Sequence, residues 1–338
     1  MDRDRNGHPH LPQRIRPRRN RKSAVMRALV REHTVKPDNL VYPLFIEESD
    51  KSSGFTFKAT GQRVPIPSMP GIYRHDLQSM MHEVQESVEL GIKSFVLFPH
   101  VAEGLKNNMG TESYNTEGLV PRAIKMIKAK YPHVVVITDV ALDPYSSMGH
   151  DGVVEDGRIL NDITVQQLQK QAVMHARAGA DVVSPSDMMD GRIGAIRDAL
   201  DSEGFTDVGI ISYCAKYASA FYGPFRDALQ SHPGFGDKKT YQMDPSNSRE
   251  AAAEALLDVS EGADMIMVKP GMPYLDVIKR LHSGTNVPVA AYQVSGEYAM
   301  LKAASLKVRE LMDCRILMFL IYFTVVCSMS CLCDIGMA

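Results

Sequence analysis

Two lysines stand where short apolar runs end: Lys216 in Ser212-Tyr213-Cys214-Ala215-Lys216-Tyr217 and Lys269 in Met265-Ile266-Met267-Val268-Lys269-Pro270-Gly271. A buried run normally hands over to Gly, Asn, Asp or Ser at that place. A primary amine with apolar walls behind it loses hydration, which favours the neutral form that attacks carbonyls to give a Schiff base. For either lysine alone, a salt bridge at the rim of a sheet is an equally good reading. Two together point to an enzyme holding two carbonyl substrates at once. Neighbouring cations also weaken each other's hold on protons, which helps to supply free amine.

Other residues could join that chemistry. Asp139, Asp143, Asp151, Asp156 and Asp162 crowd a Gly-containing stretch after the run Val134–Val140, and carboxylates on such a loop suit Mg²⁺. Turn-forming aspartates on a solvated loop are the plainer alternative. Ser186 and Asp187, in Ser186-Asp187-Met188-Met189-Asp190-Gly191-Arg192, fit either polar substrate contacts or the cap of a helix. Tyr222-Gly223-Pro224-Phe225-Arg226 and Phe235-Gly236-Asp237-Lys238-Lys239 read as a lid, from which Arg226 and Lys238 would clamp a carboxylate. Surface charge is the competing explanation for that pair. Ser295, after the run Pro288–Gln293, can donate to an anion, whereas spacing alone makes Glu254 an ordinary exposed carboxylate within a helix. His150, His175 and His282 lack metal-ligand spacing, so zinc is not expected.

Seven β-like runs must position these groups: Leu40–Phe45, Ser94–Phe98, Val134–Val140, Asp181–Ser184, Gly209–Tyr213, Asp264–Val268 and Pro288–Gln293. Helical patterns lie between them, at Asp76–Leu90, Thr164–Ala178, Gly191–Ser202 and Ser248–Ser260. Ala178-Gly179-Ala180-Asp181 and Glu261-Gly262-Ala263-Asp264 each read as a helix stopped by glycine and followed by a buried strand. Apolar runs alternating with helices mean an α/β fold with a parallel sheet. The count points to a (β/α)8 TIM barrel with its eighth strand missing or replaced. A doubly wound sheet is the runner-up, but no Gly-x-Gly-x-x-Gly or phosphate-binding loop is present. In a barrel the chemistry sits at the C-terminal strand ends, so Lys216 and Lys269, after the fifth and sixth strands, would be neighbours.

Composition agrees with a globular enzyme: 338 residues, 44% hydrophobic, 23% charged. A net charge of -2 gives no case for nucleic acid as the main partner. Residues 1–35 form a basic, Pro-containing N-terminal arm, residues 36–304 the catalytic domain, and residues 305–338 an apolar, Cys-rich tail. No apolar signal follows Met1, so secretion is not expected, and Cys214 is the only cysteine before Cys314, which fits a reduced compartment.

In combination, Ser184-Pro185-Ser186-Asp187-Met188-Met189-Asp190-Gly191-Arg192, the Lys216 segment, Phe221–Arg226 and Met267-Val268-Lys269-Pro270-Gly271 resemble the δ-aminolevulinic acid dehydratase (porphobilinogen synthase) family, from about Arg16 to about Ala304. The resemblance implies condensation of two 5-aminolevulinate molecules to porphobilinogen, in tetrapyrrole biosynthesis. Lys269 would hold the first substrate and Lys216 the second. Arg226 and Lys238 match the grip on the second substrate's carboxylate, and Ser295 one of two groups on the first. Tyr222, Ser186, Asp187 and Asp139 fall among its substrate-binding positions. Glu254 aligns with an allosteric Mg²⁺ ligand. Ala141, Asp143 and Asp151 stand where zinc-using relatives have cysteines, and carboxylates select Mg²⁺, so Asp143 and Asp151 are expected at an active-site metal. Met148 stands where plant-type sequences usually carry another Asp. A plant-like chain implies a plastid, with a cytoplasmic location as the alternative, and the family implies a homo-octamer embraced by the arm.

Past Ala304 the resemblance stops, where the family has a long helix and an eighth strand bearing a substrate-binding Tyr. Residues Ile316 to Cys333 carry no charge. Three readings compete: an unrelated tail from altered splicing or gene structure, a makeshift eighth strand over Leu317–Val326 with Tyr322 facing the substrate, and, least expected, a membrane anchor. An open seven-stranded ring would expose two edges and aggregate. Two rival functions stay open: a single-lysine aldolase on the same barrel, and an inactive subunit that modulates assembly.

Overall fold

The computed structural model describes residues 2–3, 5–10, 14–48, 61–229, 231, 233–307 and 331–333. The chain divides into two units, Met1–Thr34 and Val35–Ala338. The first holds a two-stranded ladder of Asp2–Arg3 with Pro9–His10 and a short helix, Ala24–Leu29. Ser23 caps that helix by accepting from the Met26 amide at 3.2 Å. Its apolar residues Ile15, Val25 and Leu29 are exposed.

The second unit is built on eight parallel strands: β1 (Leu40–Glu47), β2 (Ser94–His100), β3 (Val135–Val140), β4 (Val182–Pro185), β5 (Gly209–Lys216), β6 (Met265–Lys269), β7 (Val289–Gln293) and β8 (Cys331–Cys333). Each pairs with the next, and β8 pairs back onto β1, so the sheet closes into a ring. Helices α1 (Leu77–Glu89), α2 (Leu119–Lys130), α3 (Asn161–Ala178), α4 (Arg192–Ser202), α5 (Ser248–Ser260), α6 (Leu275–Gly284) and α7 (Ser295–Lys307) alternate with the strands. No helix among the described residues is long and apolar enough to cross a membrane.

The seven expected strands are all present. The eighth, expected to be missing or replaced, is a replacement strand at Cys331–Cys333, later in the tail than the Leu317–Val326 stretch read for it, and it closes the ring. Leu317–Val326 and Tyr322 lie outside the described residues.

Alternation with a period of two explains how the strands serve two cores. Val41 and Phe45 of β1 join Val96 and Phe98 of β2 in one cluster. Tyr42, Leu44 and Ile46 join Phe95 and Leu97 in the other, against Met80 and Val84 of α1 and Ala123, Ile124 and Ile127 of α2. Each fully buried side chain of this size contributes roughly 1.5–3 kcal/mol. Truncating Ile124 to Ala would leave a void costing about 2–5 kcal/mol.

The two glycine stops form as expected. Gly179 (φ 105°) and Gly262 (φ 106°) take the left-handed conformation that side chains resist. The following aspartates then pin the strand starts together. Asp181 accepts from the Val136 amide at 2.7 Å, and Asp264 accepts from the Ile210 amide at 2.7 Å.

Candidate active site

Lys216 is the last residue of β5 and Lys269 the last residue of β6, rather than the residues that follow those strands. They are register partners, placed side by side by a bulge. Ser212 pairs with Ile266 but Ala215 pairs with Val268, so β5 carries one extra residue between them. Were the ladder to run regularly on from Ser212 with every residue kept, Lys216 would face Pro270. Nothing in the spacing of hydrophobic residues announces that extra residue.

Both amines line one narrow cleft with Phe98, Asp139, Asp143, Ser186, Tyr222, Phe225, Arg226, Lys238 and Gln242. The two environments differ. Lys216 is 7% exposed; its Nζ donates to Asp151 Oδ2 at 3.0 Å and to the Ser186 carbonyl at 2.5 Å. The other Asp151 oxygen accepts from Lys238 Nζ at 2.5 Å, and Lys238 also donates to Asp143 Oδ2 at 3.3 Å. Burial alone would raise the Asp151 pKa, but the two ammonium groups outweigh it and hold the carboxyl down at about 2. Lys269 instead sits among four aromatic rings, with centroids 4.3 Å (Tyr292), 4.9 Å (Phe225), 5.2 Å (Tyr213) and 5.4 Å (Tyr222) from its Nζ.

Asp139 ends one residue short of the tip of β3 and is buried in the cleft wall. Burial, reinforced by the nearby Asp143 carboxylate, raises it to about 7 against the pull of both lysines. Among the described residues its Oδ1 has no hydrogen-bond partner. Asp187 is also fully buried; its Oδ1 accepts from the Met189 amide at 2.7 Å, and burial raises it to about 6 despite Arg192. Neither Ser186 nor Asp187 caps α4, whose N-cap is Gly191 at φ 73°.

The lid segment is present as a turn, Ala220–Tyr222, followed by a helix, Gly223–Leu229. Arg226 and Lys238 both reach the cleft. Tyr222 contributes its ring, while its hydroxyl donates to the backbone carbonyls of Tyr217 and Lys269 at 2.6 and 3.1 Å. Ser295 was expected to face an anion. Its hydroxyl instead accepts from the Phe225 amide at 2.9 Å and donates to the Phe221 carbonyl at 3.2 Å, fastening the lid to α7.

Glu254 lies apart from the cleft on α5 and is half-buried rather than exposed, accepting from Arg192 Nη1 at 2.9 Å. Arg192 is itself fully buried among Asp187, Asp258 and the Tyr213 carbonyl, a cluster that spacing did not reveal. No group of three or more metal-ligating side chains forms among the described residues. As arranged, Asp143 and Asp151 fit ion pairs with lysines, and a cation beside them would have to displace Lys238. Sequence reasoning also missed Gln242 and Phe98 on the cleft and Tyr292 beside Lys269. Alternation along β2 and β7 is the signal that could have turned Phe98 and Tyr292 inward.

Comparison with known proteins bears on this cleft. The family model described as delta-aminolevulinic acid dehydratase matches residues 14–320, running past Ala304 into the tail. The chain is 60% identical over 290 residues to the chloroplastic delta-aminolevulinic acid dehydratase of Oryza sativa subsp. japonica, covering 85% of this chain and 66% of that one. It is 58% identical over 298 residues to the chloroplastic enzyme of Glycine max, covering 88% and 70%. The chain thus spans about two thirds of the length of these relatives. Among solved structures, delta-aminolevulinic acid dehydratase (porphobilinogen synthase) from Toxoplasma gondii, in complex with the reaction product porphobilinogen, is 53% identical. It superposes with a TM-score of 0.90 over 99% of this chain and 92% of that one.

Proposed function

Because the chain belongs to the delta-aminolevulinic acid dehydratase family, we propose that it is a porphobilinogen synthase, condensing two 5-aminolevulinate molecules to porphobilinogen with loss of two waters. The observation that carries this reading is the register pairing of Lys216 with Lys269 in one cleft.

The chemistry follows from the two environments. Lys269 Nζ adds to the keto carbon of the first substrate; the carbonyl oxygen takes up protons and departs as water, leaving a C=N bond. Lys216 does the same for the second. Each step needs a group that exchanges protons near neutral pH, and Asp139, at about 7 in the cleft wall, has that property. Asp151 stays ionised and aligns Lys216 with Lys238. Four cations line the cleft (Lys216, Arg226, Lys238 and Lys269) against the acids Asp139 and Asp143, a balance suited to carboxylate-bearing substrates. The aromatic walls around Lys269 exclude water that would hydrolyse the imine.

Borohydride reduction in the presence of 5-aminolevulinate tests this. A covalent adduct is expected on Lys269. Lys269→Ala should abolish adduct and porphobilinogen, and Lys216→Ala should keep the adduct but make no product. Turnover by Lys216→Ala would identify a single-lysine enzyme and refute the proposal.

Mg²⁺ is proposed at Glu254, where one half-buried carboxylate and water ligands suit a hydrated ion. There the ion would supply charge that orders the α4–α5 face. A Mg²⁺-dependent rise in the unfolding midpoint, absent from Glu254→Gln, would support it. Exposed Ile15, Val25 and Leu29 support self-association of the arm, proposed as a homo-octamer, with light scattering as the check. The chloroplastic relatives support a plastid location.

A further inference from the structure

Next to the cleft but outside its lining, three buried side chains meet at the C-terminal rim of the barrel. Glu47 ends β1, His100 ends β2, and Arg74 lies on the strand Tyr73–His75, which pairs with β1 at Phe45 and Ile46. All three are under 9% exposed. Glu47 Oε2 receives Arg74 Nε at 2.8 Å and lies 3.3 Å from His100 Nδ1. Arg74 then extends Nη1 to the Ala228 carbonyl at 3.0 Å. Ala228 belongs to the last turn of the lid helix Gly223–Leu229, two residues beyond Arg226.

The lid helix is therefore held at three points. Ser295 holds its start through the Phe225 amide. The Phe225 ring packs edge-on against Phe45 and Phe98, with centroids 5.7 and 5.1 Å away. Arg74 holds its end, where outward-facing carbonyls lack helical partners and carry the negative end of the helix dipole. A guanidinium fixed by a buried carboxylate is a rigid donor for that place, and no water-exposed alternative offers the same geometry.

We propose that Arg74, braced by Glu47 and His100, is a positioning residue that latches the lid helix and so sets the reach of Arg226 into the cleft. Arg74 touches no reacting atom. Its work is to keep a carboxylate clamp in register with Lys216, so it governs substrate affinity more than the chemical step. The inference rests on the dehydratase reading for its substrate, but the latch itself is a property of the lid.

The test uses the full chain and three variants, Arg74→Met, Arg74→Lys and Glu47→Gln. With 5-aminolevulinate, Arg74→Met should raise KM about tenfold or more, the scale of one lost charge-assisted hydrogen bond, with kcat nearly unchanged. Arg74→Lys should recover part of the loss, and Glu47→Gln, which keeps shape and volume, should shift KM the same way if Arg74→Met does not fold. Limited trypsin digestion without substrate should cut after Arg226 faster in each variant than in the wild type. An unchanged KM with unchanged cleavage overturns the latch, as does a fall in kcat alone. If the wild type forms no adduct with 5-aminolevulinate, the dehydratase reading fails while the cleavage rates still decide the latch.

Discussion

Replacing Asp151 by Asn removes one charge from between two buried ammonium groups, Lys216 at 3.0 Å and Lys238 at 2.5 Å. Asp151 is fully buried, so water cannot substitute for the lost carboxylate. Breaking a buried ion pair from one side costs about 3–5 kcal/mol. Linkage gives an independent figure. The fall of Asp151 from 3.8 to about 2 corresponds to roughly 2–3 kcal/mol. Asp143 remains 3.3 Å from Lys238 and takes up part of the imbalance, so about 3 kcal/mol is expected. The sign follows from a depressed carboxyl. The contribution is fully present above the unfolded-state value near 4 and fades as pH falls towards about 2. Urea unfolding of wild type and Asp151→Asn, at matched protein concentration and from about pH 8 to about pH 3, reads this directly. The gap should be level above about pH 5 and narrow below about pH 4. A gap under about 1 kcal/mol at neutral pH, or one that narrows between pH 6 and 8, would refute a charged Asp151 bridging two lysines.

Four further outcomes are expected. Asp139 should give kcat/KM a limb rising through about pH 7, and Asp139→Asn should flatten that limb in a pH–rate profile. The raised Asp139 also makes its share of stability greatest below about pH 4, declining as pH rises to about 7, opposite in sign to Asp151. Gly296→Ala should push the lid aside, because its Cβ would come 2.6 Å from the Phe221 carbonyl oxygen; a loss of about 1–3 kcal/mol in urea unfolding and a raised KM are expected. Cys214 is fully buried, and burial pushes its thiol well above the usual range, so mass mapping after alkylation at pH 8 should find that peptide unmodified until the protein is unfolded.

Much of the architecture was legible because continuous apolar runs and glycine stops are local signals. The seven runs and the stops at Gly179 and Gly262 are read from residues adjacent in sequence. The lysine pair was legible for the same reason, each being an exception at the end of its own run. What sequence did not give depends on residues far apart in the chain. Arg192 reaches Glu254 across 62 positions, and Arg74 reaches Ala228 across 154. A lone Arg in an α-helix or short strand looks like surface charge until the chain folds around it. Ser295 was assigned to an anion because a hydroxyl after a strand can donate; that it also bonds Phe221 and Phe225 of the lid, 74 and 70 positions away, has no local signal. The position of the eighth strand was hidden for a different reason: a three-residue strand leaves no periodicity to detect.

The bulge in β5 sets regularity against function in this barrel. Between Ser212 and Ala215 the fifth strand runs one residue ahead of the sixth, and only that phase lead brings the two amines abreast. With every residue kept, a ladder running regularly on from Ser212 would be a more uniform sheet but would set Lys216 against Pro270, out of step with Lys269. In this sequence a flawless ladder and an abreast pair of amines exclude each other, and the bulge decides between them in favour of the amines.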